Sequence, residues 1–497
     1  MSAEASTEST TASGAAGAPL QLGLLLAVAV GLRSYRLDAP LWYDEIVTLV
    51  EYVRLAPSDL LTHYTSTNNH LLYSLLAHAS VAGFGESAWA LRLPAALLGV
   101  ASLAAFWWMA HEFVAARQAR LASWAIALSY HHVWFSQNAR GYTGILLSAW
   151  LGTALFLRAR RGGPARLWLA YAVALALGTW IHLSTLFVFA AHGIVYLAEE
   201  LVAQGRDDRR FDARPLAALA GGLLLALALY APLLPELAET LTSQHSAGRG
   251  SNTVTTWKSP VWTLLEAARG LQLGGASPLV ALLGVGLAGC GLISFARSRP
   301  GDALLLTAPG AIAIAALLAA GFNIWPRYFL VSLGFAAILG VRGAFSAAGL
   351  IVTSPTRAEH LATAACITGI ALSAATLPLN YRYPKQDYPA ARSLIVDRRG
   401  ADEPVLALGL ADYAYGRYFE PGWGTLESVE QLDRLEEEHA SLWIVYSFPT
   451  LLRASRPELF ARVERGYERV RSFHGTLGDG DVHVLRSRSV PTRGRQP

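Results

Sequence analysis

The sequence has few charged residues, few cysteines and almost no lysine. Only 15% of its 497 residues are charged, whereas a soluble globular chain usually carries about 25%, so polar residues are too scarce to cover a water-facing surface. The two cysteines, Cys290 and Cys366, lie in apolar runs, which excludes a disulfide framework and a thiolate metal site. Lys258 and Lys385 are the only lysines among 40 basic residues. This composition excludes an ordinary soluble enzyme, a disordered protein and a nucleic-acid-binding protein.

Apolar residues dominate the chain instead. Hydrophobic residues make up 53% of it, and its mean hydropathy is +0.34. After a tail over residues 1–18 that is predicted to be flexible, apolar runs recur, each approaching the roughly 20 residues that a helix needs to cross a bilayer. We therefore predict an all-α polytopic protein of the inner (plasma) membrane with about eleven transmembrane helices. The predicted spans are 19–37, 91–110, 119–136, 142–157, 167–181, 183–200, 215–234, 277–296, 303–320, 327–347 and 361–378.

The distribution of arginine predicts the orientation of these spans. The apolar stretch 167–200 is too long for one tilted helix, so we divide it at a hinge over 178–182. The Arg-rich loops on either side of the stretch then share one face with most other loop arginines, and positive loops favour the cytoplasm. We therefore predict a cytoplasmic N-terminus. The outer face would carry the loop 38–90, the link 138–141, the loop 235–276, the turn 321–326 and everything after 379.

The C-terminal segment differs in composition from the apolar region. Short strand patterns at 405–410, 442–446 and 482–485 are separated by helical patterns at 426–440 and 457–471. This alternation predicts a small soluble extracytoplasmic α/β domain over 380–497, after a transmembrane catalytic domain over 19–379. Neither a G-x-G-x-x-G motif after a strand nor a P-loop is present, so the sequence gives no sign of a nucleotide donor.

Two adjacent carboxylates follow the first predicted span, in the sequence Trp42-Tyr43-Asp44-Glu45. They are either the solvated start of a loop beside an interfacial aromatic belt or a general base in a partly buried site. The same loop contains two patterns, 46–63 and 69–83, that predict helices lying along the membrane surface. Asn69, His70 and Tyr73 open the second pattern and would either face a cavity or simply cap and anchor that helix.

Three arginines lie at predicted outer helix ends. Arg92 enters the second span, Arg140 lies in the link between spans three and four, and Arg327 enters span ten. Each could extend toward lipid headgroups, or together they could bind a phosphate leaving group as guanidinium forks. His182 and His192 lack metal-ligand spacing and are predicted to be core residues.

The ordered set of these motifs resembles the bacterial GT-C glycosyltransferases. The closest groups are relatives of the protein O-mannosyltransferases, the aminoarabinose transferase of lipid A and the lipopolysaccharide-core transferases of rhizobia. The resemblance covers the membrane region and is most specific over residues 31–142. It rests on Arg33, Trp42-Tyr43-Asp44-Glu45, Asn69-His70-Leu71-Leu72-Tyr73, Leu91-Arg92-Leu93-Pro94, Gln137-Asn138-Ala139-Arg140-Gly141-Tyr142 and Arg327-Tyr328.

The resemblance implies an inverting enzyme that transfers a sugar from a polyprenyl-phosphate donor to a hydroxyl acceptor on a cell-envelope glycolipid, a polysaccharide or a protein. It implies that Asp44 is the base and that Glu45 supports it. The donor phosphate would be bound by Arg92, Arg140, Arg327, Tyr142 and Tyr328. The acceptor or the cavity wall would be contacted by Arg33, Asn69, His70, Tyr73 and Asn138.

Two departures from the family pattern qualify these expectations. His70 is often followed by Pro in relatives, whereas Leu71 follows it here, and Asn138 stands where relatives often carry an acidic residue. The second change weakens a metal site, so no cofactor is predicted with certainty and a divalent cation stays an alternative. Other readings are a transporter or flippase of lipid-linked sugars, an O-antigen ligase or polymerase, and an inactive relative with a scaffolding role.

Overall fold

The computed structural model of the protein describes residues 4–62, 64, 69–204, 211–240, 242, 257, 259–263, 265–266, 269 and 278–488. Arg206, Arg209 and Arg210, which contribute to the orientation argument, lie outside these residues, as does most of the predicted loop 235–276.

Helices make up the N-terminal three quarters of the chain. Among the described residues, eight helices are long and apolar enough to cross a membrane, and three shorter apolar helices accompany them. The protein is therefore an integral membrane protein of the polytopic helical class, as predicted. The helices are α1 Glu4–Ser34, α2 Tyr43–Val47, α3 Pro57–Leu60, α4 Leu71–Phe84, α5 Ala88–Phe113, α6 Ala116–Ala127, α7 Tyr130–Ser136, α8 Tyr142–Arg160, α9 Arg166–Ile181, α10 Leu186–Gln204, α11 Arg214–Tyr230, α12 Pro278–Ser298, α13 Pro300–Ala319, α14 Ser332–Ile351, α15 Pro355–Ala374 and α16 Leu377–Arg382.

The apolar stretch 167–200 folds as two helices, as predicted. Helix α9 ends at Ile181, His182 is extended with a φ of −162°, and a 3-10 turn leads into α10. Gly178 lets α9 lie close to α8, because a Cβ at this position would fall 1.9 Å from the Ser148 hydroxyl oxygen. The hinge therefore bends the chain at the level of His182.

The third predicted span is not one helix. The run 119–136 is divided between α6 and α7, and Ser129 caps the second helix by accepting a hydrogen bond from the His132 N–H at 3.5 Å. The apolar residues of this run predicted one continuous helix, but Ser129 can cap a helix and therefore favours the start of a second one.

Two helix starts also differ from the prediction. Helix α1 begins at Glu4, inside the predicted flexible tail, whose alanines favour helix. Helix α14 begins at Ser332 rather than at 327, because the residues from Pro326 to Phe329 form a 3-10 turn.

The C-terminal segment forms a five-stranded mixed sheet with helices. The strands are β1 Val405–Leu408, β2 Gly424–Leu426, β3 Trp443–Tyr446, β4 Tyr467–Phe473 and β5 Val482–Ser487, in the order β2-β1-β3-β5-β4. Strand β1 pairs parallel with β2 and β3, whereas β5 pairs antiparallel with β3 and β4. The helices are α17 Tyr388–Arg398, α18 Leu410–Ala414, α19 Val429–Glu438, α20 Pro449–Ser455 and α21 Pro457–Gly466.

The three predicted strands and the α/β character of this segment are confirmed, but the predicted helix 457–471 is too long. It ends at Gly466, and the chain continues directly into β4, which pairs with β5. The pairing partner lies further along the chain, so local periodicity could not show this change.

Arginines gather at the end of the helices opposite to Arg92 and Arg140. There Arg161 pairs with Glu112 at 2.6 Å, Arg160 with Glu199 at 2.6 Å and Arg117 with Glu359 at 2.9 Å. These arginines belong to the loops and helix ends that the sequence predicted to share one face. Which end faces the cytoplasm stays a prediction.

Candidate active site

Asp44 lies in the short helix α2, which follows α1 after a turn and continues into a π-helical segment. Its carboxylate is buried, with 8% of the residue exposed. Oδ2 lies 3.2 Å from Arg140 Nη1 and 3.7 Å from Arg327 Nη1. The structure therefore brings together three residues that are up to 283 positions apart in the chain. The sequence pattern placed them only on the same predicted outer face of the membrane.

Arg140 contacts a histidine as well as Asp44. Its Nη2 donates a hydrogen bond to His70 Nε2 at 3.0 Å, and its guanidinium lies over the Tyr142 ring at 5.7 Å. Burial and the nearby charge of Arg140 hold the pKa of His70 well below its ordinary value. A neutral ring is the form that accepts this hydrogen bond, so His70 helps to orient the guanidinium.

A small cavity opens beside Arg327. Its polar side is formed by Arg327, Tyr328, Tyr142 and Ser184. Its apolar side is formed by Ile145, Leu146, Leu330 and Val331. Its volume is about 10 Å³, the space of about one water molecule, so it shows where a cation adjoins an apolar wall rather than a space that holds a whole ligand.

Glu45 and Arg92 form a buried ion pair. Arg92 Nε donates to Glu45 Oε1 at 2.7 Å, and Nη2 donates to Oε2 at 2.5 Å. The other N–H groups of Arg92 donate to the carbonyls of Leu37, Ala39 and Pro40. All five donors of the guanidinium are thus occupied. Arg92, predicted to bind the donor phosphate, has no N–H left for it and instead holds the chain that leads to α2.

Glu45 also accepts hydrogen bonds from two backbone N–H groups, those of Trp42 at 3.3 Å and Ala139 at 2.7 Å. Burial alone would raise the pKa of Glu45, but the charges of Arg92 and Lys385 and the hydrogen bonds from Arg92 and the Ala139 N–H keep it below its ordinary value. Glu45 therefore joins the start of α2 to the turn that carries Arg140. We assign it a positioning role between Asp44 and Arg140.

We expect Glu45→Gln to destabilise the fold by about 1.5–3 kcal/mol, the usual worth of hydrogen bonds to a charged group. The amide leaves the buried charge of Arg92 uncompensated. Equilibrium unfolding in mixed detergent and SDS micelles measures the change. Glu437→Gln, an exposed position on α19, is the matched control and should leave stability unchanged. Equal stability of the two variants would contradict the positioning role.

The segment between α16 and α17 contacts the site from the C-terminal side. The Gln386 side chain is buried, and its Oε1 accepts from the Tyr43 backbone N–H at 3.0 Å. Lys385 Nζ donates to the Gln137 carbonyl at 2.6 Å. Burial lowers the pKa of Lys385 to about 7, although the charge of Glu45 opposes the shift. The C-terminal region is thus attached to both chain segments that carry the charged residues.

Several buried polar atoms around Asp44 lack a hydrogen-bond partner among the described residues. They are Asp44 Oδ2, His70 Nδ1, Arg140 Nε and Nη1, Asn69 Nδ2 and Asn138 Nδ2. Unpartnered buried polar groups are rare in folded proteins, and each requires an explanation. This set contains both an acceptor and N–H donors, so a ligand that carries both kinds of group would satisfy it.

The remaining predicted site residues divide into two groups. Asn69 and Asn138 lie near the charged residues: Asn69 Oδ1 accepts from the Ser74 hydroxyl at 2.9 Å, and Asn138 Oδ1 accepts from Trp42 Nε1 at 3.2 Å. Tyr73 is fully buried, and its hydroxyl donates to the Leu91 carbonyl at 2.6 Å. Tyr73 is therefore a packing residue rather than part of the cavity wall.

Arg33 lies in a separate polar cluster. Its Nη2 donates to His132 Nδ1 at 2.8 Å and to the Ala127 carbonyl at 3.2 Å, and His132 Nε2 lies 3.0 Å from the Ser102 hydroxyl. These contacts join α1 to α5 and to the break between α6 and α7. The structure does not bring Arg33 to Asp44.

Sequence reasoning missed His182, which it treated as a core residue. The ring centroids of His182 and His70 are 4.8 Å apart, and His182 lies 6.3 Å from the Tyr328 ring. Its position in the hinge after Gly178 was the one sequence feature that could have pointed to a role in the site. Gln386 was also missed, and no local pattern distinguishes it.

Among the residues that the structure describes, no set of metal ligands is evident. Over the described residues, no group of three or more His, Cys, Asp or Glu side chains is placed to hold a metal ion. Asn138, at the position that is often acidic in relatives, contributes one oxygen that already accepts from Trp42.

Comparisons with known proteins bear on the fold. No protein-family model and no curated protein sequence matches the chain. The archaeal oligosaccharyltransferase AglB from Archaeoglobus fulgidus, in complex with an inhibitory peptide and a dolichol-phosphate, is similar over 95% of this chain and 74% of its own, with a TM-score of 0.52 and 12% identity. ArnT from Cupriavidus metallidurans, bound to undecaprenyl phosphate, is similar over 96% of this chain and 100% of its own, with a TM-score of 0.49 and 16% identity. The chain has the GT-C fold, as its motifs predicted.

Proposed function

We propose that the protein is an inverting glycosyltransferase that moves a sugar from a polyprenyl-phosphate donor to a hydroxyl acceptor. The observation that carries the proposal is the buried contact of Asp44 with Arg140 and Arg327, in which an acceptor oxygen and guanidinium N–H groups lack hydrogen-bond partners. Since arginines gather at the opposite end of the bundle, we place the site at the outer face of the membrane.

Asp44 is the base in this proposal. Its Oδ2, which contacts Arg140 and Arg327 but accepts no hydrogen bond among the described residues, would accept the proton of the acceptor hydroxyl as that oxygen forms a bond to the anomeric carbon of the sugar. The bond from this carbon to the phosphate oxygen breaks at the same time, and the phosphate departs with the electron pair. One displacement of this kind inverts the anomeric configuration.

The guanidinium groups of Arg140 and Arg327 would offset the charge that develops on the departing phosphate. Arg327 lies beside apolar side chains, so a phosphate at its guanidinium would have an apolar surface next to it for the start of the isoprenoid chain. AglB has the same fold and is described with a dolichol-phosphate, which supports a donor of this class. The energy of transfer would come from the phosphoester of the donor.

The test is to incubate the purified protein with defined polyprenyl-phosphate sugars and a mixture of envelope acceptors, and to measure release of free polyprenyl phosphate. We expect release with at least one donor. Binding of polyprenyl phosphate without release from any donor would favour a transporter or a scaffold instead.

We expect turnover to be unchanged by excess EDTA, because the described site residues supply guanidinium groups rather than a set of metal ligands. Initial rates with and without the chelator, followed by addition of Mg²⁺ or Mn²⁺, measure this. Loss of activity that a divalent cation restores would show that the charge of the leaving group is offset by a metal.

A further inference from the structure

A second and larger cavity lies between the membrane helices and the C-terminal sheet. Its volume is about 570 Å³, within the range of small-molecule sites. Tyr130, Leu379 and Tyr383 form its membrane-side wall. The opposite wall is formed by Pro449 and by the hairpin 474–483 between β4 and β5. Its lining does not include the residues around Asp44.

The chemistry of the lining points to a neutral ligand that is rich in hydroxyl groups. Asp479 and Asp481 can accept hydrogen bonds from hydroxyls, and the rings of Tyr130 and Tyr383 offer flat apolar faces. No Arg or Lys is found among the described lining residues; His474 pairs with Asp481 at 2.6 Å, and the Asp479 carboxylate would disfavour a phosphate or an anionic headgroup. This distinguishes the cavity from the cationic site at Asp44.

The hairpin wall is fixed rather than loosely attached. The Thr476 backbone N–H donates to the Pro384 carbonyl at 2.9 Å, and its hydroxyl accepts from Trp134 Nε1 at 2.9 Å. A Cβ on Gly475 would fall 2.2 Å from the Lys385 carbonyl oxygen, so a larger residue could not approach as closely. The cavity is therefore a preformed feature of the interface between the two parts of the chain.

Two residues at the rim have backbone conformations that L side chains rarely adopt. Asp479 has a φ of +60° and Phe448 a φ of +55°. The Asp479 carboxylate accepts from the Thr450 backbone N–H at 3.2 Å, which ties the hairpin to the start of α20. Strain of this kind is concentrated at functional sites.

The hairpin that forms one wall of the cavity is hydrogen-bonded, through one buried side chain, to the segment that carries Asp44. Gln386 Nε2 donates to the Gly480 carbonyl of the hairpin at 3.0 Å, while its Oε1 accepts from the Tyr43 backbone N–H. The Tyr43 ring also lies 6.4 Å from that of Phe448, next to the cavity residue Pro449. One buried side chain thus links the cavity wall to the neighbour of the proposed base.

We propose that this cavity binds a carbohydrate acceptor and presents one of its hydroxyl groups to Asp44. The inference rests on the proposed glycosyl transfer and adds the acceptor's chemical class and binding site. The carboxylates and tyrosines of the cavity would bind the sugar, and Gln386 would fix the position of the hairpin relative to α2.

The test measures release of polyprenyl phosphate against increasing concentrations of a neutral oligosaccharide fraction from a bacterial envelope polysaccharide. We expect Asp479→Asn and Tyr383→Ala each to raise the KM for the oligosaccharide about tenfold, as expected for one weakened hydrogen bond or lost ring contact, with little change in kcat. Their KM for the donor should not change. His439→Ala, on the same domain but outside the cavity lining, is the control.

Unchanged KM values for the oligosaccharide in both variants would overturn the inference while leaving the transferase intact. Wild-type protein that glycosylates a Ser/Thr-containing peptide but not the oligosaccharide would also overturn it, in favour of a protein acceptor. No release of polyprenyl phosphate from any donor, with any acceptor, would instead overturn the proposed function itself.

Discussion

Asp44→Asn should lower turnover by about 10²–10⁴-fold, the usual contribution of general acid–base catalysis. The amide keeps the size of the side chain but cannot take the proton of the acceptor hydroxyl. Asp44 Oδ2 accepts no hydrogen bond among the described residues, but the amide weakens its ion pairs with Arg140 and Arg327, so the stability of the purified variant is measured beside its rate. Initial rates of acceptor glycosylation measure the effect.

Asp397→Asn is the matched control, since this aspartate is exposed on α17 and should behave like the wild type. Polyprenyl phosphate should still bind to the Asp44→Asn variant, which separates loss of the base from loss of the fold. Near-normal turnover in the variant would rule out Asp44 as the base.

Arg140→Ala should lower kcat/KM by about 10²–10³-fold, the cost of removing one preorganised group that stabilises developing charge. Arg140 is buried, and its Nε and Nη1 donate no hydrogen bond among the described residues, although Nη1 lies 3.2 Å from Asp44 Oδ2. Arg140→Lys retains the charge but not the fork, so it should recover only part of the loss. Rates over a range of donor concentrations separate binding from turnover.

Arg417→Ala, at an exposed position of the C-terminal domain, is the control and should leave both constants unchanged. Arg140→Ala also removes the ion pair with Asp44 and the hydrogen bond to His70, so thermal stability of the purified variant must be measured beside its rate. A folded Arg140→Ala protein with normal kcat/KM would contradict the proposed phosphate contact.

The sequence sufficed for the fold class because hydropathy reports directly on burial in lipid. Apolar run length predicted most helices, and the strand patterns at 405–410, 442–446 and 482–485 predicted the central strands of the sheet. Local patterns failed where a partner distant in the chain decides the structure, as for β4, which pairs with β5. They also failed at Ser129, where one polar residue starts a new helix inside an apolar run.

The sequence predicted which residues form the candidate site better than it predicted what each residue does there. Asp44, Arg140 and Arg327 meet as their motifs suggested, because α2, the link before α8 and the 3-10 turn before α14 come together. The sequence could not show that every N–H group of Arg92 is already hydrogen-bonded, since three of the five donate to backbone carbonyls just before α2. Gln386 was equally hidden, because its partners Tyr43 and Gly480 are each about 90 or more positions away.

The anomeric configuration of the product tests the central claim most directly. The purified wild-type protein is given a donor of known configuration, and the linkage in the glycosylated product is determined from NMR coupling constants. Direct displacement with Asp44 as base predicts a product whose configuration is opposite to that of the donor. A product of the same configuration would contradict this account, because it would require two displacements through a covalent sugar–enzyme intermediate.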